Sequence, residues 1–210
     1  MQASTSAYME AVKTRRSIYA LNKSSPISDD RIEQIFHEVL LASPSAFNSQ
    51  TTRAVLLLDA EHEKFWTMVA KLGESNSGWS EEVLKRQRGR WEMFKNAKGS
   101  ILLFESGATI KKNQEGYPAT AALFPEWSQH THGIHAVTLW TALEAEGLGA
   151  NLQHNQMIAG VDEETKKMWN LPEDWVQYAQ LVFGGLESKE MPPKKDKLPL
   201  TETTRTFGKS

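Results

Sequence analysis

The sequence predicts an α+β fold in a single domain, and three observations carry that prediction. Segments with helical apolar spacing alternate with short strand-like runs rich in apolar residues, at 54–58, 100–105 and 176–183. One long segment, 128–146, is apolar around much of its circumference, which marks a central helix buried in the core or in a dimer seam. The chain has 210 residues, 40% of them hydrophobic, enough for one sizeable core that a second subunit could complete. Residues 1–185 read as the domain, and 186–210 as an extended arm without helical or strand period.

Taken in order, Ser4 to Arg16 reads as a helix with Tyr8, Met9 and Val12 on one side and Ser4 or Thr5 as cap. Residues 18–26 read as an extended link. Ser28 caps a second helix, with Asp29 and Asp30 in its first turn and Ile32, Ile35, Phe36, Val39 and Leu40 on one buried face. Pro44 disfavours helical geometry at Ser43 and ends it. The unbroken apolar run Val55–Leu58 predicts a strand, 54–58, buried on both faces. Helices are expected over 61–72 and 80–96, broken at 73–78, with a second buried strand at 100–105. Residues 109–123 read as a weak helix or loop. Phe124-Pro125-Glu126-Trp127-Ser128 follows, where aromatic residues on either side of a proline turn suit a lid over a flat ligand or packing beneath a loop. The long helix then runs from Ser128 to Glu146, followed by a short strand at 151–155, a short helix at 162–169, and a third strand that Gly184-Gly185 should end.

Composition excludes several classes. A formal net charge of −2 gives no whole-protein case for nucleic acid or an anionic membrane. No apolar run reaches the roughly eighteen residues that span a bilayer, and residues 1–8 lack the pattern of a secretory leader. With no cysteine, thiolate chemistry and Cys-ligated zinc are out. A soluble cytoplasmic protein is expected. His132 and His135 share a helix face, but apart from Glu126 no Asp, Glu or His at the right spacing completes a familiar ligand set, so no metal is expected. Seven tryptophans point to large buried or stacking surfaces.

Four stretches carry candidate chemistry. In Pro44-Ser45-Ala46-Phe47-Asn48-Ser49-Gln50, hydroxyls, amides and one ring crowd a helix-to-strand turn, which suits a flat polar ligand edge. An ordinary Ser/Asn turn has the same composition. Arg15-Arg16-Ser17 offers two guanidiniums and a hydroxyl to a phosphate, or a solvated basic end to the first helix. Glu146-Gly147-Leu148-Gly149 supplies glycines that end a helix and let backbone approach a ligand. The strand at 151–155 carries amides and one imidazole, His154, which is unusual for a plain core. The basic run Lys85-Arg86-Gln87-Arg88-Gly89-Arg90 reads as a solvated face, with one Arg reaching an anion as the sharper alternative.

In order and spacing, Arg15-Arg16-Ser17-Ile18-Tyr19, Pro44 to Gln50, Phe124 to Trp127, Trp140 to Gly149 and Leu152-Gln153-His154 resemble the FMN-dependent nitroreductase superfamily, and within it a short subgroup of bacteria and fungi. The resemblance implies a nitroreductase-like fold with a central mixed sheet flanked by helices. It also implies a homodimer with exchanged C-terminal arms and two FMN sites at the seam. On that resemblance Arg15, Arg16 and Ser17, with Lys195 and Lys197 of the arm, match phosphate-binding positions. Ser45, Ala46, Phe47, Asn48 and Gln50 match a turn that the partner lays along the flavin. Glu146, Gly147, Leu148 and Gly149 match backbone beside flavin N5. Tyr19 stands where many relatives carry a cation, and Arg86, Arg88 or Arg90 could supply that charge. The resemblance carries over no substrate contacts; Phe124, Trp127 and His154 are candidates on their own chemistry. The implied activity is ping-pong hydride transfer from NAD(P)H through FMN to nitroaromatics, quinones or similar small acceptors, with no side chain acting as acid, base or nucleophile. A flavin-binding regulator with little turnover, in stress or lipid signalling, is the alternative that the uncharged Tyr19 keeps open.

Overall fold

The computed structural model describes residues 4–75, 78–188 and 190–209. Part of the expected break at 73–78, and two positions of the C-terminal arm, lie outside the described residues.

Eight helices and five strands follow in the order α1 (Thr5–Thr14), β1 (Leu21–Asn22), α2 (Asp29–Ala42), β2 (Thr52–Leu58), α3 (Asp59–Glu74), α4 (Glu81–Lys95), β3 (Gly99–Ser106), α5 (Gly107–Gly116), α6 (Phe124–Ala145), β4 (Gly149–Gln153), α7 (Val161–Met168), β5 (Trp175–Leu186) and α8 (Leu200–Thr203) among the described residues. The serine caps work as expected: Ser28 Oγ accepts from the Arg31 N–H, and Ser80 Oγ from the Val83 N–H. The helix α2 buries Ile32, Ile35, Phe36 and Val39.

The sheet runs β2-β3-β5, with β4 pairing β5 on its far side and β1 pairing the end of β5 at Gly185 and Leu186. Every strand pairing among the described residues is antiparallel, which corrects the expected mixed sheet. The one parallel contact, Ser17 with Ala150, comes from the segment after α1 and not from a strand of the sheet. Helices α3 and α4 cover one face over Leu57, Leu102, Phe104 and Val182, where Trp66 and Trp91 fill the core. On the other face α2 and α6 pack over Ile101, Leu103, Leu181 and Phe183.

Three further expectations change. As an edge strand, β2 fully buries only Leu57; Val55 packs on the core of one face and Ala54, Leu56 and Leu58 on that of the other, so both faces are covered but only in part. The strand β5 continues through Gly184 and Gly185, because glycine there lets the 22–24 segment lie against it. A Cβ on Gly185 would stand 2.1 Å from Ser24 Oγ, and one on Gly184 2.5 Å from the Asn22 carbonyl. The helix α6 begins at Phe124, not Ser128, so the expected lid is the first turn of a helix. Proline is tolerated there because its missing N–H would have no partner anyway.

Candidate functional site

The segment after α1 builds one half of the site. Arg15 leaves the helix, and the chain then runs beside β4. The Ile18 N–H donates to the Ala150 carbonyl (2.9 Å), and Asn151 Nδ2 donates to the Ile18 carbonyl (2.8 Å). The amides of β4 therefore serve the fold: Asn151 and Gln153 are buried and bonded to one another. The two arginines separate in role. Arg16 folds back and donates to the carbonyls of Lys13, Thr14 and Arg15, at 2.6, 3.2 and 2.8 Å, closing the open end of α1. The Arg15 guanidinium lies 4.3 Å over the Trp140 ring and forms no ion pair among the described residues. Ser17 stands beside it in sequence, half-buried. Glu144 binds the same segment: one oxygen accepts the Arg16 N–H (2.8 Å) and the other the Trp140 indole N–H (2.7 Å). Burial pushes this carboxyl above its usual range, while the Arg16 N–H, the Trp140 indole and Arg15 oppose that shift.

The turn between α2 and β2 builds the other half. Phe47, Asn48 and Gln50 have φ of 55°, 52° and 47°. Asparagine tolerates that region, but a phenylalanine there is an outlier of the kind that functional turns hold. The Gln50 N–H donates to Ser45 Oγ, and Arg53 grips the Gln50 and Thr52 carbonyls from the sheet edge. Phe47 is 54% exposed and stacks on Trp127 at 5.3 Å and 18°; its ring lies 4.9 Å from Tyr117. Beside this aromatic group a cavity of about 730 Å³ is lined by Ser45, Asn48, Gln50, Arg53, Lys112 and Tyr117 among others. Phe124 is sealed beneath the cluster at 1% exposure, so within this chain it supports the wall and cannot touch a ligand. Trp127 remains partly open.

These halves do not meet within one chain. They sit at opposite edges of the sheet, beside β4 and β2. Trp127 and Trp140 mark their positions on α6, about 20 Å apart along its axis. Between them α6 exposes Ile134 (37%) and Val137 (47%). Thr138 and Thr141 on the same stretch return their hydroxyls to the carbonyls of Ile134 and Val137, which leaves their methyls facing outward.

The remaining candidates fall elsewhere. Glu146 is drawn to α2, where its Oε1 accepts from Arg31 Nη2 (2.6 Å) and Nε (3.0 Å). Gly147 has φ of 89° and closes the turn beside Pro26. Leu148 and Gly149 are core positions: Leu148 packs under α2 and α6, and a Cβ on Gly149 would meet Leu186 and Leu21 at 2.7 Å. Both therefore serve packing, not ligand contact by side chain. Tyr19 is 39% exposed. His154 stands exposed at the end of β4, its charge close enough to depress His132, whose burial is the main cause of a pKa lowered to about 4. Lys195 and Lys197 are exposed on the arm, with no ion pair to the rest of the described residues. Arg88 is committed to Glu74 and Glu81 and ties α3 to α4, so it is no spare cation. No three His, Asp or Glu side chains among the described residues are grouped to hold a metal, and no helix is long and apolar enough to cross a membrane.

Sequence reasoning passed over Trp140, Glu144, Arg53 and Tyr117 as site residues. Trp140 and Glu144 are spaced i, i+4 on a helix, which places them on one face; nothing local shows that the N-terminal segment crosses that face.

The Nitroreductase family model matches residues 12–185. The chain belongs to the Nitroreductase family. It is 35% identical over 183 residues to the nitroreductase FRM2 of Saccharomyces cerevisiae, covering 86% of this chain and 88% of that one. The nitroreductase CinD of Lactococcus lactis, solved in complex with nicotinic acid, superposes with a TM-score of 0.84 at 34% identity, over 96% of this chain and all of CinD. CinD has also been solved with 4-nitrophenol. A nitroreductase structure in complex with FMN from Exiguobacterium sibiricum, at 17% identity and a TM-score of 0.69 over 98% of this chain and 99% of that one, shares the fold.

Proposed function

We propose that two copies of this chain form a homodimer that holds FMN at its seam and uses NAD(P)H to reduce nitroaromatics, quinones or similar electron-poor acceptors. The observation that carries this reading is the split site: a cationic half and an aromatic half at opposite ends of α6, with an exposed apolar stripe between them. A twofold partner with α6 antiparallel brings the cationic half of one subunit to the aromatic half of the other.

The residues fit the cofactor. Arg15, which forms no ion pair among the described residues, and Ser17 suit a phosphate dianion. The exposed Lys195 and Lys197 suit the same charge, delivered by an arm that reaches across the seam. Asn48 and Gln50 keep their side-chain amides open toward the cavity, where they can meet the polar edge of a flat ring. Phe47, Trp127 and Tyr117 form an aromatic wall that stacks a planar acceptor and keeps water from it. When bound, FMN supplies the two-electron chemistry and alternates between NAD(P)H and the acceptor. The 4-nitrophenol complex of CinD supports the acceptor class.

The test is direct. Purified protein supplied with FMN should turn yellow, bleach with NADPH in the absence of oxygen, and recover colour on addition of a nitroarene. Protein that takes up no FMN contradicts the reading. Yellow protein that never bleaches contradicts the enzymatic part of it and favours a regulator.

A further inference from the structure

We infer that Trp140 and Glu144 are positioning residues that hold Arg15 in place for the phosphate of the cofactor. This deepens the reading above and rests on it.

The two side chains lie one helical turn apart on α6, on a single face. Their contacts converge on the segment that follows α1. The Arg15 Cζ lies over the Trp140 ring, 4.3 Å from its centroid. Its indole N–H donates to Glu144 Oε1 (2.7 Å) and to the Arg16 carbonyl (3.2 Å). Glu144 Oε2 accepts the Arg16 N–H (2.8 Å). Both peptide groups of Arg16 are thus fixed to α6, and the side chain just before it rests on an aromatic plate.

That arrangement has a specific physical result. Arginine carries several rotatable bonds, and freezing them on binding an anion costs affinity. A guanidinium already lying on a ring has spent that entropy. Stacking leaves the in-plane N–H fork free, because the ring engages only the face of the group. A carboxylate partner would have occupied the fork and neutralised the charge. Glu144 is near enough to attract Arg15, yet its oxygens are taken by the indole and the Arg16 N–H. Arg15 is therefore held without being quenched. Arg16 differs: its Nη1 is held by three carbonyls of its own helix end, which ties its side chain back to α1.

Comparison of FMN with riboflavin, which lacks the phosphate, tests the inference by equilibrium binding, read from the quenching of flavin fluorescence. Trp140→Leu should weaken FMN roughly ten-fold and leave riboflavin unchanged. Trp140→Phe, which keeps a ring face, should recover most of the loss. In an Arg15→Ala background, Trp140→Leu should have no further effect on FMN, since its action runs through Arg15. Glu144→Gln should weaken FMN by a smaller factor, again sparing riboflavin. Equal losses for FMN and riboflavin, or a Trp140 effect that persists without Arg15, would overturn the positioning role. If Arg15→Ala itself leaves the preference for FMN over riboflavin intact, the phosphate assignment beneath it falls as well.

Discussion

Two adjacent arginines illustrate how much one residue's surroundings decide. Arg15→Ala should cost about 1.5–3 kcal/mol of FMN affinity, the worth of one charge-assisted contact, with little change in melting temperature. Arg16→Ala should do the reverse: it opens the end of α1 at a cost of about 1 kcal/mol in stability and reaches FMN only weakly. Calorimetry and thermal melts on the two variants separate these outcomes. The sequence showed a basic pair beside a serine but not which member was free, because that depends on Trp140, more than a hundred residues away. Phe47 lies at the other half-site, exposed on a strained backbone. Phe47→Ala should change stability by less than about 1 kcal/mol, since few buried contacts are lost, yet raise KM for a nitroarene severalfold in steady-state assays.

Buried titratable groups add a pH dependence. Glu105 lies beneath α6 and accepts from Thr52 Oγ1 (2.8 Å); burial raises its carboxyl to about 7. Its folded value exceeds the unfolded one, so the folded state binds the proton more tightly. The associated stability is complete below pH 4.5 and is lost as pH rises through 7. His62 behaves oppositely. Held neutral between Ser100 and the Phe94 carbonyl, its pKa falls to about 4, mainly through burial, and its contribution is lost as pH falls from 6.5 through that value. Glu105→Gln should therefore gain stability over the native chain as pH rises from 4.5 to 8, by up to about 3 kcal/mol. Urea melts across that range would show the widening gap, and a constant difference would contradict it.

At the scale of elements, α6 organises the molecule. It seals one face of the sheet with Leu139 and Leu143, carries a half-site at each end, and exposes an apolar stripe between them. Its central apolar pattern was legible: α6 packs on the sheet and against α2, and still exposes Ile134 and Val137. Its start was not legible: Pro125 reads equally as a turn or as a first helical residue, and only the preceding helical turn at 118–123 decides. The partial burial of β2 was misread for a related reason: its apolar run does pack on the core through both faces, and only its place at the sheet edge, which no local pattern shows, leaves it partly open. The prediction at this scale is that Val137→Lys, placed in the middle of the stripe, yields monomers that retain helix content and lose flavin. Light scattering and circular dichroism would check both, and a stable yellow dimer would count against the stripe as interface.

For the whole molecule, the described chain is well packed, and on the proposed reading its site is divided between opposite edges of its sheet. The arm belongs to the same scale. Leu198, Leu200 and Phe207 are exposed on it, and α8 is its one short helix. A chain ending after Ser188 should lose both dimer stability and flavin retention, measured by size exclusion and bound absorbance. The motifs of each half-site were legible because they are short and local. Their division was not, because it follows from the sheet order β2-β3-β5 with β4 outermost, which no local pattern encodes.

The measurement that tests the split site most directly is subunit complementation. Arg15→Ala and Phe47→Ala chains, each impaired alone, are unfolded together and refolded as a mixture. If every site takes its cation from one chain and its aromatic wall from the other, mixed dimers hold one intact site each. About a quarter of all sites should then bind FMN and turn over a nitroarene as the native protein does. If both halves served a site within one chain, mixing would restore nothing, and activity would stay at the average of the two variants.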